Sequence, residues 1–243
     1  MISSRSSGPW SDARVLQASR PAAHGLVVEL IGPAAAGKST LAQELYWNAE
    51  TRTPLALWGL PRRSLARNGL RLLPQLLALR RDPRPPTGRQ LAQLIRVETL
   101  RQVVERRRVA SRACLVLDEG PVFALSWMEV FYPDRIGPRL MAWRRQVLES
   151  WAHLLDCVVM LDAPTPLLVS RMRARAKPHP VKHGSDAEIR EFLERFRIAF
   201  GHVLTDLRAL GGPRVVTFET TEEVGSHIVE SVVAALDGRS DGR

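Results

Sequence analysis

Cysteine, asparagine and lysine are nearly missing from this 243-residue chain, at two, two and three residues. Cys114 and Cys157 each open an apolar run, which reads as buried thiol rather than disulfide, and no His/Cys grouping has zinc-ligand spacing. The expected setting is the reducing cytoplasm. The two asparagines, Asn48 and Asn68, begin no N-K-x-D, the signature of a guanine-specific switch. No internal repeat or heptad pattern is present, and without an LSGGQ-like stretch the large ATPase families fit poorly. No apolar run approaches the roughly 18–20 residues of a membrane-spanning helix, and no membrane partner is expected. Residues 1–24, rich in Ser and Arg, lack the apolar stretch of a signal peptide and read as a disordered tail, as do residues 238–243.

An apolar fraction of 45% suffices for the core of one domain, expected over residues 25–237. The net charge of +10 invites a nucleic-acid partner, but it comes from 32 arginines, and no aromatic–basic interleaving of the kind that stacks single strands accompanies them. Nucleic acid is therefore disfavoured. The few lysines are better placed: Lys38 falls in a glycine-flanked loop, while Lys177 and Lys182 flank a basic loop further on.

Short β-rich runs alternate with helical spacing. Gly25–Ile31, Pro54–Trp58, Ala113–Leu117, Cys157–Leu161 and Arg214–Phe218 read as strands. Between them lie helical stretches near 39–46, 62–81, 88–108, 121–151 (broken near Tyr132-Pro133-Asp134), 166–176, 186–210 and 222–236. Nearly continuous apolar strands alternating with helices predict an α/β sandwich whose parallel sheet is covered on both faces. Ligands in such folds bind outside the carboxyl ends of the strands, so the loops after Ile31, Leu117, Leu161 and Phe218 are where chemistry is sought.

The first of those loops is Gly32-Pro33-Ala34-Ala35-Ala36-Gly37-Lys38-Ser39-Thr40, a complete G-x-x-x-x-G-K-[ST] between strand and helix. Glycines let the backbone curl so that amides converge on phosphate oxygens, and the helix behind adds its positive end. The expected cofactor is ATP with Mg²⁺. Residues 32, 34–37 and 38–40 would cradle its phosphates, with Lys38 on the β- and γ-phosphates and the Ser39 hydroxyl on the metal. Asp118, ending its strand, is the candidate second metal ligand, and Glu119 a candidate proton acceptor. Arg171 and Arg175, one helical turn apart, share a face from which they can neutralise a transferring phosphoryl group, while Arg173 points elsewhere. The two histidines of that segment, His179 and His183, read as solvent-exposed.

In these residues the chain resembles the nucleoside and nucleotide kinases of the P-loop superfamily, with thymidylate kinase-like proteins nearest, over about residues 26–236. The resemblance rests on the loop at 32–40, the acidic strand end at Asp118, Asp162-Ala163-Pro164 followed by Arg171-x-Arg173-x-Arg175, and the last strand and helix. It implies a three-layer α/β/α sandwich with a five-stranded parallel sheet of order 2-3-1-4-5. It also implies an acceptor-binding helical region at 54–110, a short lid at 171–186 carrying Arg171 and Arg175, and an adenine site near the loop after Phe218; it allows a homodimer. One departure stands out. Thymidylate kinases carry Asp-Arg where this chain has Asp118-Glu119, and an anion there disfavours a phosphorylated acceptor. A small molecule accepting through a hydroxyl fits better. Arg62, Arg63, Arg67 and Arg96 are candidates to bind an anion in the acceptor region, and Trp58, Phe123, Trp127 and Phe131 to stack on a ring, although the spacing of Phe123 and Trp127 favours core packing. The alternatives are a P-loop ATPase or switch driving a partner, and a kinase of polynucleotide ends.

Overall fold

The computed structural model describes residues 25–47, 52–110, 114–220 and 230–231. The expected tails and nearly all of the expected helix at 222–236 lie outside the described residues. The strands are β1 (Val27–Ile31), β2 (Arg52–Ala56), β3 (Cys114–Asp118), β4 (Cys157–Asp162) and β5 (Arg214–Glu219). They form one parallel sheet in the order β2-β3-β1-β4-β5. Both the α/β class and the strand order are as the sequence implied.

Side chains of β1 alternate between faces, which divides the core in two. Val27 and Ile31 join Leu115, Leu117, Val158 and Met160 under α3 (Gly88–Ala110), α4 (Pro121–Phe131), α5 (Pro138–Ala152) and the long helix α7 (Asp186–Ala209). Val28 and Leu30 join Val116, Val159 and Leu161 under α1 (Lys38–Trp47), α6 (Thr165–Ala174) and the first turns of α7. α2 (Arg62–Leu79) is a second layer outward, packed on α3.

Two boundaries differ from expectation for physical reasons. β2 begins at Arg52, two residues before Pro54. As the sheet edge, it tolerates a proline whose missing N–H faces away from the ladder. The strand also ends early: Leu57–Gly59 form a 3-10 turn that buries Leu57 and swings Trp58 out to 54% exposure.

Glu29 is the feature the sequence reading passed over, a fully buried carboxylate in the middle of an apolar strand. It accepts the amides of Val122 and Phe123, both at 3.0 Å, and thereby caps the N-terminus of α4. Gly120 permits this approach, because a Cβ there would stand 2.7 Å from the Glu29 carboxyl carbon. Burial outweighs the helix amides and pushes the carboxyl up to about 8. A folded-state value above the ordinary 4.5 favours folding below that pH, and the contribution is lost as pH climbs towards 8. Thermal unfolding of the Glu29→Gln variant from pH 5 to 8 is therefore expected to show a flatter profile than wild type. Parallel profiles would mean that Glu29 is ionised throughout.

Candidate active site

The carboxyl ends of all five strands lie along one edge of the sheet. After β1 the chain leaves the extended state abruptly. Gly32 has φ 146°, Ala35 68° and Gly37 92°. The bend is tight against the neighbouring strand: a Cβ on Gly32 would lie 2.0 Å from the Leu161 carbonyl oxygen, so only glycine fits. Ala35, with no such freedom, is held in the left-handed region by its neighbours. The Ala36 amide closes a turn onto the Pro33 carbonyl at 3.3 Å, while the Ala36 carbonyl accepts from the Thr220 hydroxyl at 3.2 Å.

The loop runs directly into α1, whose first turn carries no acidic residue. Three other helices carry their own anchors at this end: Glu29 on α4, Asp82 on α5 (3.3 and 3.2 Å to the amides of Arg139 and Leu140), and Ser185 with Glu188 on α7. The positive end of α1 is left for an external anion. Ser39 and Thr40 are exposed there. Lys38 folds back, its Nζ donating to the Gly32 and Pro33 carbonyls at 2.7 and 2.9 Å. Burial pulls the ammonium down to about 8, against the opposing pull of Asp118 and then Glu119.

Asp118 is paired in register with Leu30 on one side and Ala56 on the other, so β3 ends beside the mouth of the phosphate loop. Glu119 follows with φ 60°, a left-handed conformation that costs a non-glycine residue on the order of 1–2 kcal/mol. That turn aims the carboxylate toward the site. It feels Lys38 and Arg175 and accepts a hydrogen bond from the Trp58 indole. Burial and then Asp118 raise its proton affinity above the ordinary carboxylate range. The Arg96 guanidinium lies over the Trp58 ring, 4.5 Å from its centroid. Trp58, Arg96 and Glu119 thus make one connected wall.

The arginines of the fourth loop separate. Arg175, half-buried at the end of α6, acts on Lys38, Glu119 and His179. Arg171 donates to the Thr220 hydroxyl at 3.2 Å, and that hydroxyl also reaches the Ala36 carbonyl, so Arg171 braces the back of the phosphate loop. Arg173 turns away to Asp186 at 2.9 Å and the Lys182 carbonyl. Lys182 in turn donates to the Arg175 carbonyl, a bond that holds the segment folded. Asp162 is spoken for: Arg197 grips both its oxygens at 2.9 Å.

No family model and no curated protein sequence matches this chain. Solved structures do. A shikimate kinase from Bacteroides thetaiotaomicron superposes with a TM-score of 0.50 at 16% identity, covering 88% of this chain and 97% of its own. A thymidylate kinase from Candida albicans gives 0.54 at 15% identity, covering 89% and 93%. The chain shares the fold of these two proteins.

Several expectations change inside that fold. Phe123, Trp127 and Phe131, candidates for a ring-binding wall, belong to an aromatic cluster that meets α7 through Phe123 and Phe131, and Phe131 stays 38% exposed. Phe123 stacks on Phe196 at 6.2 Å, Trp127 meets Phe131 at 5.2 Å, and Phe131 meets Phe192 at 6.0 Å. Of that set, Trp58 alone stands beside Glu119 and Arg96. Arg62, Arg63 and Arg67 are exposed on α2, and of the four candidate arginines it is Arg96 that lies over the Trp58 ring. His183 is exposed as expected, but His179 is half-buried, edge-on to Phe192 at 5.1 Å. Burial, then Arg175 and Lys38, lower its proton affinity, which places it near the phosphate loop. Thr220, buried beneath the loop, also escaped the sequence reading; its only signal was its place just after the last strand. Glu29 had a clearer one, an acid inside a β-branched run.

Proposed function

We propose that the protein is an ATP-dependent phosphotransferase acting on a hydroxyl of a small molecule. The observation that carries this reading is Glu119. It is held in a strained conformation beside Asp118 and Lys38, tethered by the Trp58 indole, with its proton affinity raised. A carboxylate so placed suits a general base better than a structural cap. The residues present fit a magnesium nucleotide. The curled loop and uncapped end of α1 offer amides to an anion, Lys38 offers a charge that can leave its two loop carbonyls, and Ser39 and Asp118 offer hard oxygen ligands. ATP–Mg²⁺ would supply the phosphoryl group and neutralise charge on its oxygens.

The chain's own residues do the rest. Lys38 binds the phosphates. Glu119 would receive the proton of the acceptor hydroxyl as that oxygen bonds the terminal phosphorus and displaces ADP from it. Arg175 lies where charge builds on the transferring group, and residues 171–186 serve as a short lid that excludes water. Trp58 and Arg96 form one side of the acceptor site, in the helical region 54–110. The two named neighbours are kinases of shikimate and of thymidylate, both small molecules. The Glu119 carboxylate, where a cation would be needed to hold a second phosphate, favours an unphosphorylated acceptor.

The deciding experiment is ATP consumption across nucleosides, nucleoside monophosphates, sugars and aminoglycosides, with products read by mass. A product heavier by one phosphoryl group on a hydroxyl compound is expected. Consumption with water alone would replace the kinase reading with an ATPase. A further expectation concerns the lid. Arg175→Ala should lower kcat by about tenfold or more while ATP affinity changes much less, as suits a group that acts chiefly in the transition state. Equal losses in both would remove Arg175 from the reacting centre.

A further inference from the structure

We propose that the outer face of α2 docks this protein on an anionic lipid bilayer. The chain's charge is not spread evenly. Between residues 52 and 97 stand ten arginines and one acid, Asp82, so this segment holds a net +9 of the chain's +10. Asp82 is buried, capping α5, and neutralises nothing outside.

On α2 the arginines border an apolar stripe. Leu70, Leu73 and Leu77 are 74%, 47% and 56% exposed, and their spacing puts them on one face together with exposed Ala66 and Pro74. Arg63, Arg67 and Arg71, at i, i+4 and i+8, form a row along one edge of the stripe, and all three are exposed. Arg80, Arg81 and Arg84 continue the charge past the helix end. The opposite face of the helix is fully used: Asn68 is buried, bonded to Thr99 at 3.0 Å, and Leu79 is buried in the core.

Exposed leucines flanked by arginines, with no acid, suit an interface that is apolar below and anionic above. Such a helix lies in the plane of the bilayer, leucines at the acyl boundary and guanidinium groups among the lipid phosphates. It is not apolar enough to cross the membrane. A second copy of the chain is a poorer occupant, because a two-fold contact would set the same arginine row against itself. Nucleic acid would use the charge but not three leucines, and the nearby ring, Trp58, is held by Arg96 and Glu119. No long apolar run marks this face in the sequence, where no membrane partner is expected; a stripe of three leucines shows only once burial has marked which side of the helix is free.

Flotation of the full chain with phosphatidylcholine vesicles, with and without phosphatidylglycerol, tests this. The expected result is partition onto the phosphatidylglycerol vesicles alone, weakening as salt is added. A basic residue at an anionic surface is worth about fivefold in partition, so Arg63→Gln/Arg67→Gln/Arg71→Gln should lose on the order of a hundredfold. Leu70→Ser/Leu73→Ser/Leu77→Ser should lose at least about a hundredfold through its apolar contacts. Thermal unfolding of both variants confirms that these exposed changes leave the fold intact. Equal partition onto both vesicles or onto neither, or a leucine variant that binds like wild type, overturns the proposal. So does a dimer seen by light scattering that the leucine variant dissolves, or steep salt-dependent binding of a random oligonucleotide in place of vesicle binding.

Discussion

Lys38→Ala is expected to cost at least about 2 kcal/mol, roughly thirtyfold, in affinity for ATP–Mg²⁺, with turnover falling further. Two effects add. The ammonium now bonded to the Gly32 and Pro33 carbonyls is the cation at the mouth of the loop, and its removal deletes a charge-assisted contact to phosphate. It also removes the charge that restrains proton uptake by Glu119, so less of that carboxylate is ionised at a given pH. Lys38→Arg should rescue little, because a planar guanidinium cannot occupy the space where a compact ammonium reaches two carbonyls of a tight turn. Isothermal titration with a non-hydrolysable nucleotide, alongside initial rates, separates binding from chemistry. Wild-type affinity in Lys38→Ala would remove the phosphate loop from nucleotide binding and end the kinase reading. The ammonium also sets an alkaline limit: its value of about 8 predicts nucleotide affinity declining above that pH, with bound phosphate shifting the limit upward.

Glu119→Gln should leave nucleotide affinity within a few-fold of wild type and lower kcat by about 10²–10⁴, the range for loss of a positioned general base. The pH profile distinguishes a base from a bystander. Burial and Asp118 raise the Glu119 carboxyl, and only its ionised form accepts a proton. Wild-type rates should therefore fall, as pH is lowered, at a higher pH than an unperturbed carboxylate near 4.3 would give. That acid limb should disappear in Glu119→Gln. An unchanged kcat, or a limb that survives the substitution, would assign the base elsewhere. Trp58→Phe offers a milder check, since it keeps the ring under Arg96 and deletes the indole bond that holds the carboxylate. Its effect should lie in the same direction and be smaller.

Much of this molecule was legible in its residues because two signals are local. The phosphate loop is a contiguous string whose glycines state their own backbone requirement, and the structure shows why: Gly32 presses on the Leu161 carbonyl, with no room for a Cβ. The three inner strands are nearly continuous apolar runs because a parallel sheet buries both faces, the edge strands are marked more weakly, and the resemblance supplied the order of all five. Other features depend on partners distant in sequence. The spacing of Phe123 and Trp127 favours packing over binding, but it does not name the partner: Phe196 of α7, some seventy residues later, stacks on Phe123. Arg171 and Arg175 are spaced to share a helical face, yet α6 stops at Ala174, and Thr220, just after the last strand, holds Arg171 at the back of the loop while Arg175 acts on Lys38.

The sequence by itself determined the chain's class, the place of its phosphate loop and the acid at the end of the third strand. Each follows from neighbouring residues acting on one another through backbone geometry. Tertiary structure alone decided which carboxylates are available. Glu29 is consumed by a helix 93 residues away and Asp162 by Arg197, while Glu119 is turned into the site under Trp58. The physical reason is that desolvation and hydrogen bonding, which set what an ionisable group can do, are properties of the space around it and not of its position in the chain.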